Sequence, residues 1–171
     1  MSADIKIYIA DLAAYNAGKL HGVWVDATLD LNEIQEEIDS LLKCSPEENS
    51  EEVAIHDYEG FEGVEISEYE GLSSVQQKAL FIEEHGTLGA AVLANFHGDF
   101  EYAETSMEEH YQGEYKSLED YARELTEQTS EIPKHLECYI DYERMGRDME
   151  MGGDVFTIET AHDEIHIFWN H

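Results

Sequence analysis

His162 and His166 stand four apart in His162-Asp163-Glu164-Ile165-His166, superficially the spacing of a zinc protease helix. That chemistry needs Glu directly after the first histidine, on a helix, so that both imidazoles hold one ion while the carboxylate activates its water. Asp163 takes that place, and Ile165, Ile167 and Trp169 alternate as in a strand. Side chains at i and i+4 of a strand share a face but stand too far apart for one small ion. The pair is expected to be sheet histidines. Asp57-Tyr58-Glu59-Gly60-Phe61-Glu62 is acidic and glycine-bearing, yet Gly60 is fourth and Phe61 fifth, where a calcium loop needs glycine sixth. Paired carboxylates are the raw material of glycosidases, but forty acids generate every spacing by chance. There is no Gly-rich phosphate loop, no nucleophile elbow and no Cys–Cys metal spacing. No catalytic residue, metal site or cofactor is expected, and the chain is not expected to be an enzyme.

What remains is the charge. Forty Asp and Glu against nine Lys and Arg give a formal net charge of −31 on 171 residues. Solubility needs only about 2–8 charges on a small domain, and like-charge repulsion costs stability in the compact state. The excess is spread over residues 1–60, 61–103 and 104–171 alike, so it is a coating and not a tail. With 42% hydrophobic residues, ten Tyr and six Phe, the chain is too apolar to be a disordered acidic segment. Cys44 and Cys138 suit a reducing compartment and make no disulfide framework. Met1-Ser2-Ala3-Asp4 carries no signal-peptide pattern, and no apolar run approaches a membrane span. The expected location is the cytoplasm, with no membrane partner.

The elements that must carry these carboxylates follow from periodicity. Ile5, Ile7 and Ile9 alternate with Lys6 and Tyr8, a half-buried strand. Leu20 to Asp26 is a second strand and Val53 to Tyr58 a third. Between them, Asp30 and Glu33 make a capping-box signal for a helix with Leu31, Ile34, Ile38, Leu41 and Leu42 at helical spacing. Residues 60–71 are expected to be a linker or extended segment. Ser73 or Ser74 is expected to cap a helix to about His85, closed by Gly86, with a short buried helix over 87–96. Ser117 and Asp120 cap a further helix striped by Leu118, Tyr121, Ala122 and Leu125. Pro133 is placed at the start of the last helix, which carries Leu136, Tyr139 and Ile140 inward. Residues 154–159 and 164–170 form a closing hairpin. The expected fold is α+β: elongated, with small antiparallel sheets and packed helices in about three small domains, 1–60, 61–103 and 104–171.

Uniform acidity on rigid elements has one evident use. Duplex DNA carries one charge per ~1.7 Å of axis, so −31 matches the phosphates of about fifteen base pairs. A protein holding carboxylates outward at such spacings is attracted to a Lys/Arg-lined channel as DNA is, while offering no base edges to read. It would not itself bind nucleic acid. The candidate partner-binding carboxylates are Glu33, Glu36, Glu37 and Asp39; Glu108, Glu109 and Glu114; and Glu119, Asp120, Glu124, Glu127 and Glu131. Other classes that fit the composition are a halophilic or cation-dependent acidic enzyme and an acidic chaperone of basic proteins.

Several stretches resemble a known family. Ile7-Tyr8-Ile9-Ala10-Asp11-Leu12, then Tyr15-Asn16 with Gly18, Leu20, Gly22 and Trp24, is similar to the start of the ArdA antirestriction proteins. Ala54-Ile55-His56-Asp57-Tyr58-Glu59 is similar to the end of that family's first sheet. Tyr115-Lys116-Ser117 with Leu118 and Ala122 to Leu125, then Tyr139 to Tyr142 and Arg147-Asp148, extends the likeness in order over nearly the whole chain. The resemblance implies an acidic, elongated, several-domain α+β protein that dimerises, through the C-terminal domain in the expected division. It implies a protein carried by conjugative plasmids and transposons that mimics DNA to block type I restriction–modification enzymes. The family's acidic antirestriction segment would fall on Leu118 through Glu131. Met145-Gly146 stands in the last helix where a bulkier, more helix-favouring pair is expected.

Overall fold

In a computed structural model, residues 4–170 are described. The first sheet begins where alternation demands it. β1 (Lys6–Asp11) is the central strand, with β2 (Gly22–Asp26) and β3 (Val53–Glu59) antiparallel on either side. The registers pair Ile7 with Val25 and, across a bulge after Tyr8, Ile9 with Ile55. Asp11 ends β1 and caps the short α1 (Leu12–Asn16) by accepting from the Ala14 N–H at 3.2 Å. β2 is shorter than expected: Leu20 lies outside it, fully exposed.

α2 (Leu31–Lys43) forms as its capping box dictates, with the Asp30 N–H donating to Glu33 Oε2 at 3.1 Å. Ile34, Ile38 and Leu41 face the sheet and are buried together with Ile5, Ile7 and Ile9. Residues 61–71 are irregular but no free linker. Phe61, Val64 and Ile66 are buried, and Ile55 N–H donates to Glu68 O at 2.9 Å. The backbone of this stretch therefore borrows its partners from the sheet.

α3 (Leu72–Asn95) is two helices abutting at Gly86, whose φ of 65° and ψ of −151° only glycine adopts at low cost. The interruption falls where the sequence placed it. The cap does not: Gly71 precedes the helix, and Ser74 instead donates its hydroxyl to Glu70. Lys78, buried on α3, donates to Glu65 O at 3.2 Å and to Glu70 at 3.0 Å, tying the irregular segment down.

The chain divides into two compact units after Phe100, at the start of α4 (Phe100–Thr105). A single π-helical turn, Ser106–His110, leads into β4 (Tyr111–Tyr115), a bulged strand that period-two counting did not find. α5 (Leu118–Thr129) starts at Ser117, whose hydroxyl accepts from the Asp120 N–H at 3.2 Å. The helix expected from Pro133 is absent. Pro133 and Leu136 close a turn, Glu137–Tyr139 is one 3₁₀ turn, and Ile140 is extended. Asp141 then caps α6 (Tyr142–Met151). Leu136 and Tyr139, expected inward, are 45% and 80% exposed. β5 (Val155–Ala161) and β6 (Glu164–Trp169) complete an antiparallel sheet of order β4-β6-β5. Tyr121, Val155 and Ile167 centre its core, with Phe168 stacked on Phe156.

Gly146 gives the α5–α6 contact its closeness. A Cβ there would meet the backbone and Cβ of Leu118 at 2.9 Å. The bulkier residue expected from helix propensity would not fit. The fold is thus α+β, with the six helical elements α1 to α6 and two three-stranded antiparallel sheets among the described residues. No helix of the described residues is long and apolar enough to cross a membrane.

Candidate functional site

The only carboxylate buried among the described residues is Asp11; the others lie exposed or half-exposed. Burial pushes Asp11 up, but hydrogen bonds from Ser45, Ser50 and the Ala14 N–H, with the charge of His21 added, hold it below the usual carboxylate value. The Ala14 N–H and Ser50 both reach its Oδ1, and among the described residues no hydrogen bond of good geometry reaches its Oδ2. Its place at the junction of β1, α1 and the loop that carries Glu47, Glu48, Glu51 and Glu52 makes it a structural anchor. A strand ending in Asp before an Ala-Ala pair was the available signal for it.

On α2 the candidate acids occupy the arc opposite the buried stripe. Glu33, Glu36, Glu37 and Asp39 are all exposed. At 1.5 Å of rise per residue, the five acids from Asp30 to Asp39 average roughly 3.4 Å of axis per charge, close to one DNA strand. Glu33 serves the capping box and Asp39 accepts from Gln35 at 3.0 Å. No ion pair of the described residues neutralises any of the four candidates.

The second candidate group is divided. Glu108 and Glu109 stand exposed on the π turn and Glu114 on β4. On α5, Arg123 binds Glu119 at 3.1 Å and Asp120 at 3.4 Å while lying 5.2 Å above the Tyr142 ring. Those two carboxylates already have a cation. Its spacing, four and three residues after them, was readable in the sequence. Glu124 accepts from Gln128 at 3.2 Å and from the Tyr115 hydroxyl. Burial, that bond and the charge of Glu124 push Tyr115 up to about 12. Glu127 and, just past the helix end, Glu131 are exposed.

The histidine pair separates. His162 lies in the β5–β6 turn, exposed, because Asp163 adopts a turn conformation with φ of 56°. His166 is on β6 and 7% exposed. Its Nδ1 is 2.6 Å from the Tyr111 hydroxyl, its Nε2 3.1 Å from that of Thr160 and 3.7 Å from Glu164. Glu114, directly across the ladder, brings a carboxylate within 4.8 Å of the other two groups. Both ring nitrogens are thereby partnered within the sheet.

The arrangement offers a cation-lined partner an anionic surface, and among the described residues no nucleophile is assembled with a base on it. The family described as antirestriction protein (ArdA) matches residues 7–164. The chain belongs to the ArdA family. ArdA proteins are DNA mimics that inhibit type I restriction enzymes and catalyse no reaction. No curated protein matches the chain significantly.

Proposed function

We propose that this ArdA protein acts in the cytoplasm as a symmetric homodimer that occupies the DNA channel of a type I restriction–modification enzyme and shields incoming mobile DNA. The observation that carries the reading is that the carboxylates of α2 and α5 project from helices whose opposite faces are buried, so the backbone that carries them is fixed in place. With the backbone already ordered, a Lys/Arg-lined channel closing on the array has only the side chains left to immobilise. The acids of α2 in the first unit, and those of the π turn, β4 and α5 in the second, each contribute to binding, and single carboxylates contribute little one at a time.

Titration of the full chain into a type I methyltransferase bound to labelled duplex tests this. Displacement of the duplex, weakening as salt rises, is the expected result. A duplex that stays bound at low salt overturns the reading. Sedimentation of the free protein tests the dimer separately.

A further inference from the structure

The geometry points to a discrete arginine socket in the first unit: a cavity beside the acidic face of α2 that takes one guanidinium side chain of the partner enzyme. The cavity measures about 340 Å³ and lies where α2, β3 and the start of α3 meet. Ile38 and Leu42 of α2, Ile55 of β3 and Leu72 of α3 supply apolar lining. Asp39, Glu51 and Glu68 join the same lining as exposed carboxylates, together with Tyr69, which is 71% exposed.

These features match the two ends of one side chain. Methylenes of a long basic residue are buried well against aliphatic walls while the charged head stays at the mouth. A planar guanidinium donates to a carboxylate in its plane and stacks an aromatic ring on its face. Glu70, also at this cavity, is already bound to Lys78 at 3.0 Å. Among the described residues, Glu68 has His56 beside it at 3.4 Å, and Asp39 an amide of Gln35. No Lys or Arg of the described residues pairs with Asp39, Glu51 or Glu68. Like-charged neighbours throughout the molecule make a cation the favoured occupant over an apolar or anionic one. Asp39 also belongs to the α2 acidic face, so the socket is continuous with the proposed binding surface.

The inference rests on the channel-occupancy reading for the identity of the arginine's owner, but the socket can be tested without the enzyme. The full chain, labelled at Ile and Leu methyls, is titrated with N-acetyl-arginine amide and, as the uncharged control, N-acetyl-norleucine amide. Saturable shifts confined to Ile38, Leu42, Ile55 and Leu72 are expected with the arginine compound only. Shifts spread over α5 as strongly as over these residues, or equal with norleucine, overturn the socket. In the second arm Leu72→Trp fills the cavity and keeps every carboxylate. It should raise the concentration needed to inhibit the restriction enzyme about tenfold, the loss of one well-seated anchor. Tyr69→Ala, at an exposed position, gives the same readout if Leu72→Trp does not fold. Unchanged inhibition by the folded variant overturns the socket. A wild-type chain that binds arginine amide at these methyls but fails to displace DNA would sink the channel reading alone.

Discussion

At Asp11 a single carboxylate holds three pieces of backbone together, and its protonation state matters to the fold. Its folded-state pKa is depressed, so the stability it contributes is present above its ordinary value and is lost as pH falls through the lowered one. Asp11→Asn should therefore be less stable than wild type by about 1–3 kcal/mol near neutral pH, with the gap closing below about pH 4. Urea unfolding across pH reads this directly; a gap unchanged to pH 2 would remove Asp11 from the account. Gly146 is the opposite kind of residue, kept for what it lacks. Gly146→Ala gains about 1 kcal/mol of helix propensity but drives a methyl to 2.9 Å from Leu118. Overpacking of this kind costs about 1–3 kcal/mol. The variant should unfold at lower urea than wild type, and a gain would show that α5 and α6 can part without cost.

Among the elements, α2 and α5 carry similar acids in different states. Glu36 and Glu37 face solvent without a cation, whereas Glu119 and Asp120 share Arg123. Removing either pair changes net charge equally, so long-range steering should suffer equally. Carboxylates already bound must give up that bond to meet a partner. Glu36→Gln with Glu37→Gln should thus speed dissociation from the restriction enzyme several-fold more than Glu119→Gln with Asp120→Asn, while association rates fall alike. Surface plasmon resonance separates the two rates. Equal dissociation rates would mean that Arg123 swings away on binding.

Across the whole molecule, a net charge of −31 must be held together against itself. With few cations to offset it, repulsion is relieved chiefly by mobile counterions. Raising salt from about 10 mM to physiological strength shortens the screening length from about 30 Å to about 8 Å. The melting temperature should rise over that interval, although binding to the enzyme weakens over the same range. Calorimetry at matched pH decides it, and a melting point indifferent to salt would show that the charges are too far apart to interact.

The sequence by itself determined the coating of charge, the capped helices α2 and α5, the break at Gly86 and the family, because each depends on local spacing or on composition. Tertiary structure decided the rest. Pro133 did not begin a helix: the Leu136 N–H closes a turn on Pro133 O, one 3₁₀ turn follows over Glu137–Tyr139, and α6 begins only at Tyr142, nine residues after Pro133. β4 escaped notice because its bulge breaks the two-residue period and its partner, β6, lies some fifty residues away. Which acids are free and which are spent on Arg123, Lys78 or Tyr115 depends partly on contacts between segments distant in the chain. The arginine socket exists only where three such segments meet: charge is a property of residues, and a cavity is a property of how they pack.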